Sequence, residues 1–570
     1  MGTKYRTRRD FLLKGGLALS SLAAAPRLRP LKTNVNLESL NPTEQLFRDR
    51  ARGPRLRGFM VDAGRVPEPL SYYRRVIDFC EEWEFNALQF RLADDQGCAI
   101  RFSSAPGLLF HENAFAPEQL GELAQYARSR GVELIPELES FGHTGYITRS
   151  AAYAHLLDAD PQLSSEFTGV IPVHLETAAL FKKLYSEVAA NFPSAFLHGG
   201  CDEVNWGGSE LSRSALETKP RHEIWAEYLN SLNKIAEGLG KRFIVWGDYV
   251  LHKEPQILDR LNKNIVVMDW NYSETNPAKI SEVLLRVRSN GSRGIGAPAL
   301  INYKWGPRAG SEQLANIEAF ADAYRAKGDD GSLGVILTNW VPSRYIQNSI
   351  WDGFAYAATA FKEGSGVARN SGFQRFVEKH YGARWNNDWD AAFRLIYASA
   401  PEIERVSTAG TVPLHVPWSN DEQLSAVLED RSPRSNRFTE LRHLLTRLEA
   451  LVLKNLADFE ALELSIAYLE HLYWRETIVV EHAARKPSTL DDADQLMKNI
   501  AERDHGLAQA LSKDWDQGRF ADSAAKLKPL YGFQPKDQLV FQFQRAADYS
   551  ASLASHPDRF LELVTASKPK

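Results

Sequence analysis

Between residues 55 and 365 one pattern recurs eight times: a short apolar, β-rich run followed by a helical stretch. The runs are Leu56–Asp62, Asn86–Leu92, Val132–Glu137, Ala195–Gly199, Phe243–Trp246, Ile265–Trp270, Ala297–Ile301 and Gly334–Asn339. They are apolar throughout rather than alternating with polar residues, as strands covered on both faces require. Ser71–Trp83, Pro117–Arg130, Glu176–Asn191 and Glu223–Gly238 carry apolar residues three and four apart, the helical period. Pro117 suits a first helical turn and Gly131 a helix end. Strand–helix alternation implies a parallel sheet, and eight repeats predict a closed (β/α)8 TIM barrel over 55–365. An open, doubly wound sheet is the alternative. It would carry a Gly-rich dinucleotide fingerprint, and the sequence has none.

From residue 366 the strand signals stop. Segments 373–381, 388–399, 421–430, 434–484, 489–514 and 536–564 read as helices, so 366–570 is expected to be an all-α C-terminal domain. In 434–484, Phe438, Leu441, Leu444, Leu445, Leu448 and Leu451 form one apolar stripe. Ser432-Pro433 reads as its start and Pro487-Ser488 as a break.

The first 25 residues read as an address. Arg8-Arg9 precede a short apolar stretch, Gly15 to Ala25, that ends in three alanines, as in a twin-arginine export signal. Residues 26–54 would be a linker, and the mature protein periplasmic or extracellular. Its loss removes Lys4, Arg6, Arg8, Arg9 and Lys14 against Asp10, taking the formal charge from −4 to −8. No later run reaches the ~18 apolar residues of a membrane helix. A near-neutral charge argues against a nucleic-acid partner. Three cysteines, Cys80, Cys98 and Cys201, give neither a disulfide framework nor a metal-binding spacing.

Active sites of such barrels lie at the C-terminal ends of the strands. Polar residues gather there: Asp62 and Arg65, Asp94-Asp95, Glu137 and Glu139 with His143, then His198 with Asp202-Glu203. Trp246, Trp270 and Trp340 end three further strands, and the seventh leads into Asn302-Tyr303-Lys304-Trp305. Neighbours in a regular strand point to opposite faces, so Asp202 and Glu203 share the mouth only if the chain turns there, which Gly199-Gly200 permits. Two close carboxylates in a partly dry pocket separate in pKa, leaving one as an acid and one ionised. Glycoside cleavage uses such a pair, and flat aromatic rings stack on sugars. Of Glu137 and Glu139, Glu137 is favoured to face the pocket. His198 reads as a packed strand residue, and Arg65 either binds substrate or pairs with a barrel acid.

Four motifs in order carry a resemblance: residues 57–65 (RGFMVDAGR), 86–97 (NALQFRLADDQG), 134–143 (LIPELESFGH) and 198–204 (HGGCDEV). They resemble family 20 glycoside hydrolases, the β-N-acetylhexosaminidases, with Cys201 where the family has a glycine. A helical domain after the barrel is similar to a bacterial, exo-acting subgroup. The resemblance implies release of terminal GlcNAc or GalNAc with retention, through an oxazolinium ion made by the sugar's own acetamido oxygen. It implies Glu203 as general acid and base, and Asp202 on the acetamido N–H. Tyr303, or its rival Tyr272, would bind the acetamido carbonyl. Arg65, Glu137 and His198 would help bind the sugar, with Asp94 behind His143 and Trp246, Trp270 and Trp340 boxing the ring. No metal or organic cofactor is implied, and the oligomeric state stays open. The family's Trp-x-Glu at the eighth strand is here Trp340-Val341-Pro342, and its Tyr-x-Asp at the seventh is Tyr303-Lys304-Trp305. The grip on the outer hydroxyls therefore differs. A non-catalytic sugar-binding barrel, or a glycosidase for another or a modified sugar, is the alternative.

Overall fold

The computed structural model describes residues 56–160, 169–302, 308–325, 331–399, 421–484, 490–520, 539–540, 542–556, 558–559 and 562. The expected export signal and linker lie outside these residues, as does Tyr303. Eight strands form a closed parallel barrel: β1 (Leu56–Asp62), β2 (Ala87–Arg91), β3 (Glu133–Glu137), β4 (Phe196–His198), β5 (Arg242–Trp246), β6 (Val266–Trp270), β7 (Arg293–Ala297) and β8 (Ser332–Asn339). Each pairs with its neighbour in sequence, and β8 closes on β1 with Leu56 opposite Gly334 and Phe59 opposite Leu337. Helices follow the strands: α1 (Leu70–Glu82), α2 (Pro117–Ser129), α3 (Leu175–Asn191), α4 (Arg221–Gly238), the short α5 (Gln256–Arg260), α6 (Pro277–Ser289), α7 (Ser311–Tyr324) and α8 (Trp351–Glu363).

Every second residue of a strand points into the barrel. Leu56, Met60, Ala87, Ile135, Phe196, Ile244, Val266, Met268, Ile295 and Ile336 build this inner core. Phe59, Val61, Leu88, Phe90, Leu134 and Leu197 face the helices. That double burial explains the unbroken apolar runs. The inner series becomes polar or aromatic at the C-terminal end of every strand but β7: Asp62, Arg91, Glu137, His198, Trp246, Trp270 and Trp340. One alternation thus builds both the core and the pocket floor.

The seventh strand lies earlier than its sequence suggests. Barrel pairing runs over Arg293–Ala297, and the expected Ala297–Ile301 supplies only a short added strand, Ala299–Ile301, on the far end of β8. Gly294 and Gly296 dilute the apolar signal there. A Cβ at Gly296 would lie 2.8 Å from Phe320 Cδ1 and 2.9 Å from Tyr324 Cδ2, so α7 packs where a side chain would stand. A three-stranded sheet (Ala93–Asp94, Gly97–Ile100, Phe110–Phe115) follows β2 and carries Asp94.

Among the described residues six α-helices follow: α9 (Ser365–Phe376), α10 (Asn387–Ala398), α11 (Asp421–Glu449), α12 (Leu456–Ala484), α13 (Leu490–Gly518) and α14 (Gln542–Ala554). The helix expected over 434–484 is two. α11 continues through Pro433, and the break falls at 450–455. Tertiary contacts decide this: the Leu453 and Lys454 N–H groups donate to the Tyr381 carbonyl at 2.9 and 3.0 Å. Asn455 takes a left-handed φ of 52° and donates from Nδ2 to the His380 carbonyl at 2.8 Å. Trp351, Phe376, Phe393, Leu441, Phe459 and Trp515 belong to the same hydrophobic cluster as the outer barrel residues, so the helices share its core.

Candidate active site

After β4 the chain makes a strained turn. Gly200 sits at φ 66°, Cys201 at 74° and Glu203 at 46°. This breaks the strand's alternation and brings Asp202 and Glu203 to one histidine, as the glycines upstream suggested. His143 Nε2 lies 3.3 Å from Glu203 Oε2 and 3.8 Å from Asp202 Oδ2. Its Nδ1 lies 3.0 Å from Asp95 Oδ2 and 3.7 Å from Asp94 Oδ2. The acid behind His143 is therefore Asp95, not the expected Asp94. Asp94 Oδ2 is already held by Arg65 at 3.0 Å and Arg91 at 2.6 Å, while Asp95 Oδ1 accepts the Gly145 N–H at 2.8 Å.

The electrostatics follow from these contacts. Burial lowers the pKa of His143, but Asp202, Asp94, Asp95 and Glu203 outweigh it and hold the imidazolium well above its ordinary value. Burial raises that of Glu203, yet its hydrogen bond to charged His143, with Arg65 and Lys253, leaves it below the usual carboxylate value. Both shifts favour an imidazolium–carboxylate pair, with the proton on His143. Asp94, buried but between two guanidiniums, is also held low. Glu139 goes the other way: burial and Asp202 push it well up.

Arg91, fully buried, organises the floor. Its guanidinium contacts Glu137 at 2.7 Å and Glu139 at 2.6 Å. Both glutamates therefore face inward, where only Glu137 was expected to. Residues two apart in an extended run share a face, and Glu139, just beyond the end of β3, accepts the Cys201 N–H on Oε2 at 3.0 Å. Glu137 also accepts from Gln89 Nε2 at 2.7 Å and Trp246 Nε1 at 2.9 Å. Arg65 pairs with barrel acids, Asp62 at 2.9 Å and Asp94. Both guanidiniums lie over the Trp340 ring, Arg65 at 5.2 Å and Arg91 at 5.0 Å.

The three tryptophans come together. Trp246 and Trp340 have centroids 5.8 Å apart, Trp340 Nε1 donates to the Tyr272 hydroxyl at 2.8 Å, and Tyr272 stacks on Trp270 at 5.1 Å. Burial raises the Tyr272 pKa, and the charges of Asp202 and Glu203 add to it. His198 is fully buried against Trp246, its Nδ1 accepting the Gly200 N–H at 2.9 Å. Burial pushes its pKa down to about 3 against the pull of Asp202, so it is neutral. Its packing fits the strand role read from the sequence.

Sequence reasoning passed over Arg91, Gln89 and Asp248. Arg91 left a signal, a lone cation closing an apolar strand. Two donor sets at the site, Asp94–Asp95–His143 and His143–Asp202–Glu203, are close enough to hold a metal ion. An ion in the first would sit beside Arg65 and Arg91, whose charges oppose it.

A closed parallel barrel with acids, arginines and tryptophans converging at the C-terminal strand ends has the layout of a barrel enzyme. Residues 55–301 match the model of "Glycosyl hydrolase family 20, catalytic domain", so this segment is similar to the catalytic domain of that glycoside hydrolase family. It is 27% identical over 249 residues to a beta-hexosaminidase of Vibrio furnissii, covering 38% of this chain and 39% of that protein. To the mouse beta-hexosaminidase subunit beta it is 24% identical over 275 residues, covering 46% and 48%. The matches thus span less than half the length of these relatives. A solved family 20 exo β-N-acetylglucosaminidase from Vibrio harveyi, in complex with N-acetylglucosamine, aligns at 19% identity with a TM-score of 0.43, over 54% of each chain.

Proposed function

We propose that the protein is an exo-acting, retaining β-N-acetylhexosaminidase that uses the substrate's acetamido group as nucleophile. The observation that carries this is the Asp202–Glu203 pair meeting His143, with Asp95 behind the imidazole. When a sugar fills the pocket, Glu203 takes the proton from His143 Nε2 and gives it to the glycosidic oxygen as the C1–O bond breaks. Asp202 accepts the acetamido N–H and turns the carbonyl oxygen toward C1. Glu203, again a carboxylate, then draws a proton from the water that opens the oxazolinium. Trp246, Trp270 and Trp340 flank the acetamido group. Tyr272, whose hydroxyl lies near both acids, is supported as the carbonyl's donor, and Tyr303 remains its rival.

An aryl β-GlcNAc should be turned over. Glu203→Gln should lower kcat by about a hundredfold or more, the usual weight of a positioned general acid. Equal rates would remove Glu203 from the acid role, and sugar binding without turnover would leave a binding barrel. A panel of GlcNAc, GalNAc, glucose and sulfated glycosides fixes the sugar. Tyr272→Phe and Tyr303→Phe, assayed side by side, separate the two tyrosines. We also propose export by the twin-arginine route, in which case Arg8→Lys with Arg9→Lys should hold the protein inside the cell.

A further inference from the structure

Glu203 holds a left-handed φ of 46°, a conformation that L side chains rarely adopt, and it needs a partner to stay there. That partner comes from another strand. The Glu203 N–H donates to Asp248 Oδ2 at 3.1 Å, across 45 residues of sequence. Asp248 stands two residues beyond β5, at the start of a helical turn over Asp248–Lys253. A Cβ at Gly247 would lie 2.7 Å from Leu251 Cδ1 and 3.0 Å from the Met268 carbonyl oxygen, so the chain runs close against β6 there.

The Asp248 side chain is almost fully buried and pairs with Lys253 Nζ at 3.2 Å. That ammonium in turn lies 4.1 Å from the Tyr249 ring. Asp248 Oδ1 is buried without a hydrogen-bond partner among the described residues. The titratable groups facing the carboxyl are Asp202, Glu203 and Cys201 from the turn after β4, with Tyr249 and Lys253 from its own segment. Burial and the charge of Asp202 raise the carboxyl to about 6.

We propose that Asp248 is a positioning residue for the general acid, holding the Glu203 peptide so that its carboxyl reaches the leaving oxygen. The inference rests on the hexosaminidase reading above. A general acid delivers a proton to the glycosidic oxygen while the electron pair of the breaking C1–O bond stays on that oxygen. Its help matters most when the departing alcohol is weakly acidic and least when the departing anion is stable on its own. Loss of a holder of the acid therefore shows as a dependence on leaving group, whereas general loosening of the barrel slows all substrates alike.

The test compares wild type, Asp248→Ala and Asp248→Asn on phenyl and 2,4-dinitrophenyl β-GlcNAc. Asp248→Ala should lose about tenfold or more in kcat on the phenyl glycoside and less than about threefold on the dinitrophenyl one, with KM within about twofold. Asp248→Asn, whose amide oxygen still accepts the Glu203 N–H, should recover most of the phenyl loss. Asp248→Ser, too short to reach, replaces the alanine variant should that fail to fold. Equal losses on both glycosides, no loss, or an asparagine variant as slow as the alanine one overturns the proposal. Absence of turnover by wild type on either glycoside overturns the hexosaminidase reading instead, and the inference falls with it.

Discussion

Cys201 stands at φ 74° between Gly200 and Asp202, where glycine is free of strain. Left-handed non-glycine residues cost about 1–3 kcal/mol each. Four of the six among the described residues, His143, Cys201, Glu203 and Val341, lie at this site. The strain is concentrated where side chains must be aimed. Cys201→Gly should leave the thermal midpoint unchanged or raise it, because the relieved strain offsets the ~1 kcal/mol of lost thiol burial. Cys201→Val should lower it by several degrees and slow turnover by tilting Asp202 and Glu203. Calorimetry would contradict this if both variants were equally destabilised. At this scale Arg65, Glu137, Asp202, Glu203 and the tryptophans were legible because each interrupts or closes an apolar run. The choice of Asp95 over Asp94 was not, since two arginines arriving from other positions decide it.

Element identity was legible wherever burial on both faces left a continuous apolar run. It failed where packing removed side chains. In β7, Arg-Gly-Ile-Gly-Ala carries too little apolar signal, because α7 lies against its glycines. Gly296→Val should therefore cost about 1–3 kcal/mol by overpacking against Phe320 and Tyr324, read as a lower urea midpoint with unchanged slope. A midpoint equal to wild type would mean that α7 sits farther away. The α11–α12 break was hidden for a related reason: its hydrogen bonds run to His380 and Tyr381, about 70 residues upstream, and local pattern holds no trace of them.

At the scale of the molecule, the C-terminal helices reach the barrel mouth through Arg519. Just beyond α13, it pairs with Glu68 at 3.2 Å and donates to the carbonyls of Pro342 and Tyr345 at 2.7 and 3.3 Å. These residues lie in the loops after β1 and β8, the second of which follows Trp340. Arg519→Ala leaves Glu68 buried without its cation and should cost about 3 kcal/mol by denaturant unfolding. Burial, against the pull of Arg519, raises the Glu68 carboxyl from 4.5 to about 7. The folded state then holds that proton more tightly than the unfolded one. This contribution to stability is fully present below pH ~4.5 and lost as pH rises through ~7. The Arg519→Ala penalty should accordingly be larger at pH 8 than at pH 5, and equal penalties would exclude Glu68 as the group involved.

The role of the whole barrel turns on whether the substrate's own acetamido oxygen attacks C1. The most direct measurement is kcat/KM for aryl β-GlcNAc analogues carrying zero to three fluorines on the acetyl methyl. Each fluorine weakens that oxygen as a nucleophile while leaving ring and leaving group unchanged. A steep, monotonic fall with fluorination is expected for Asp202-guided acetamido attack; a flat series would contradict it.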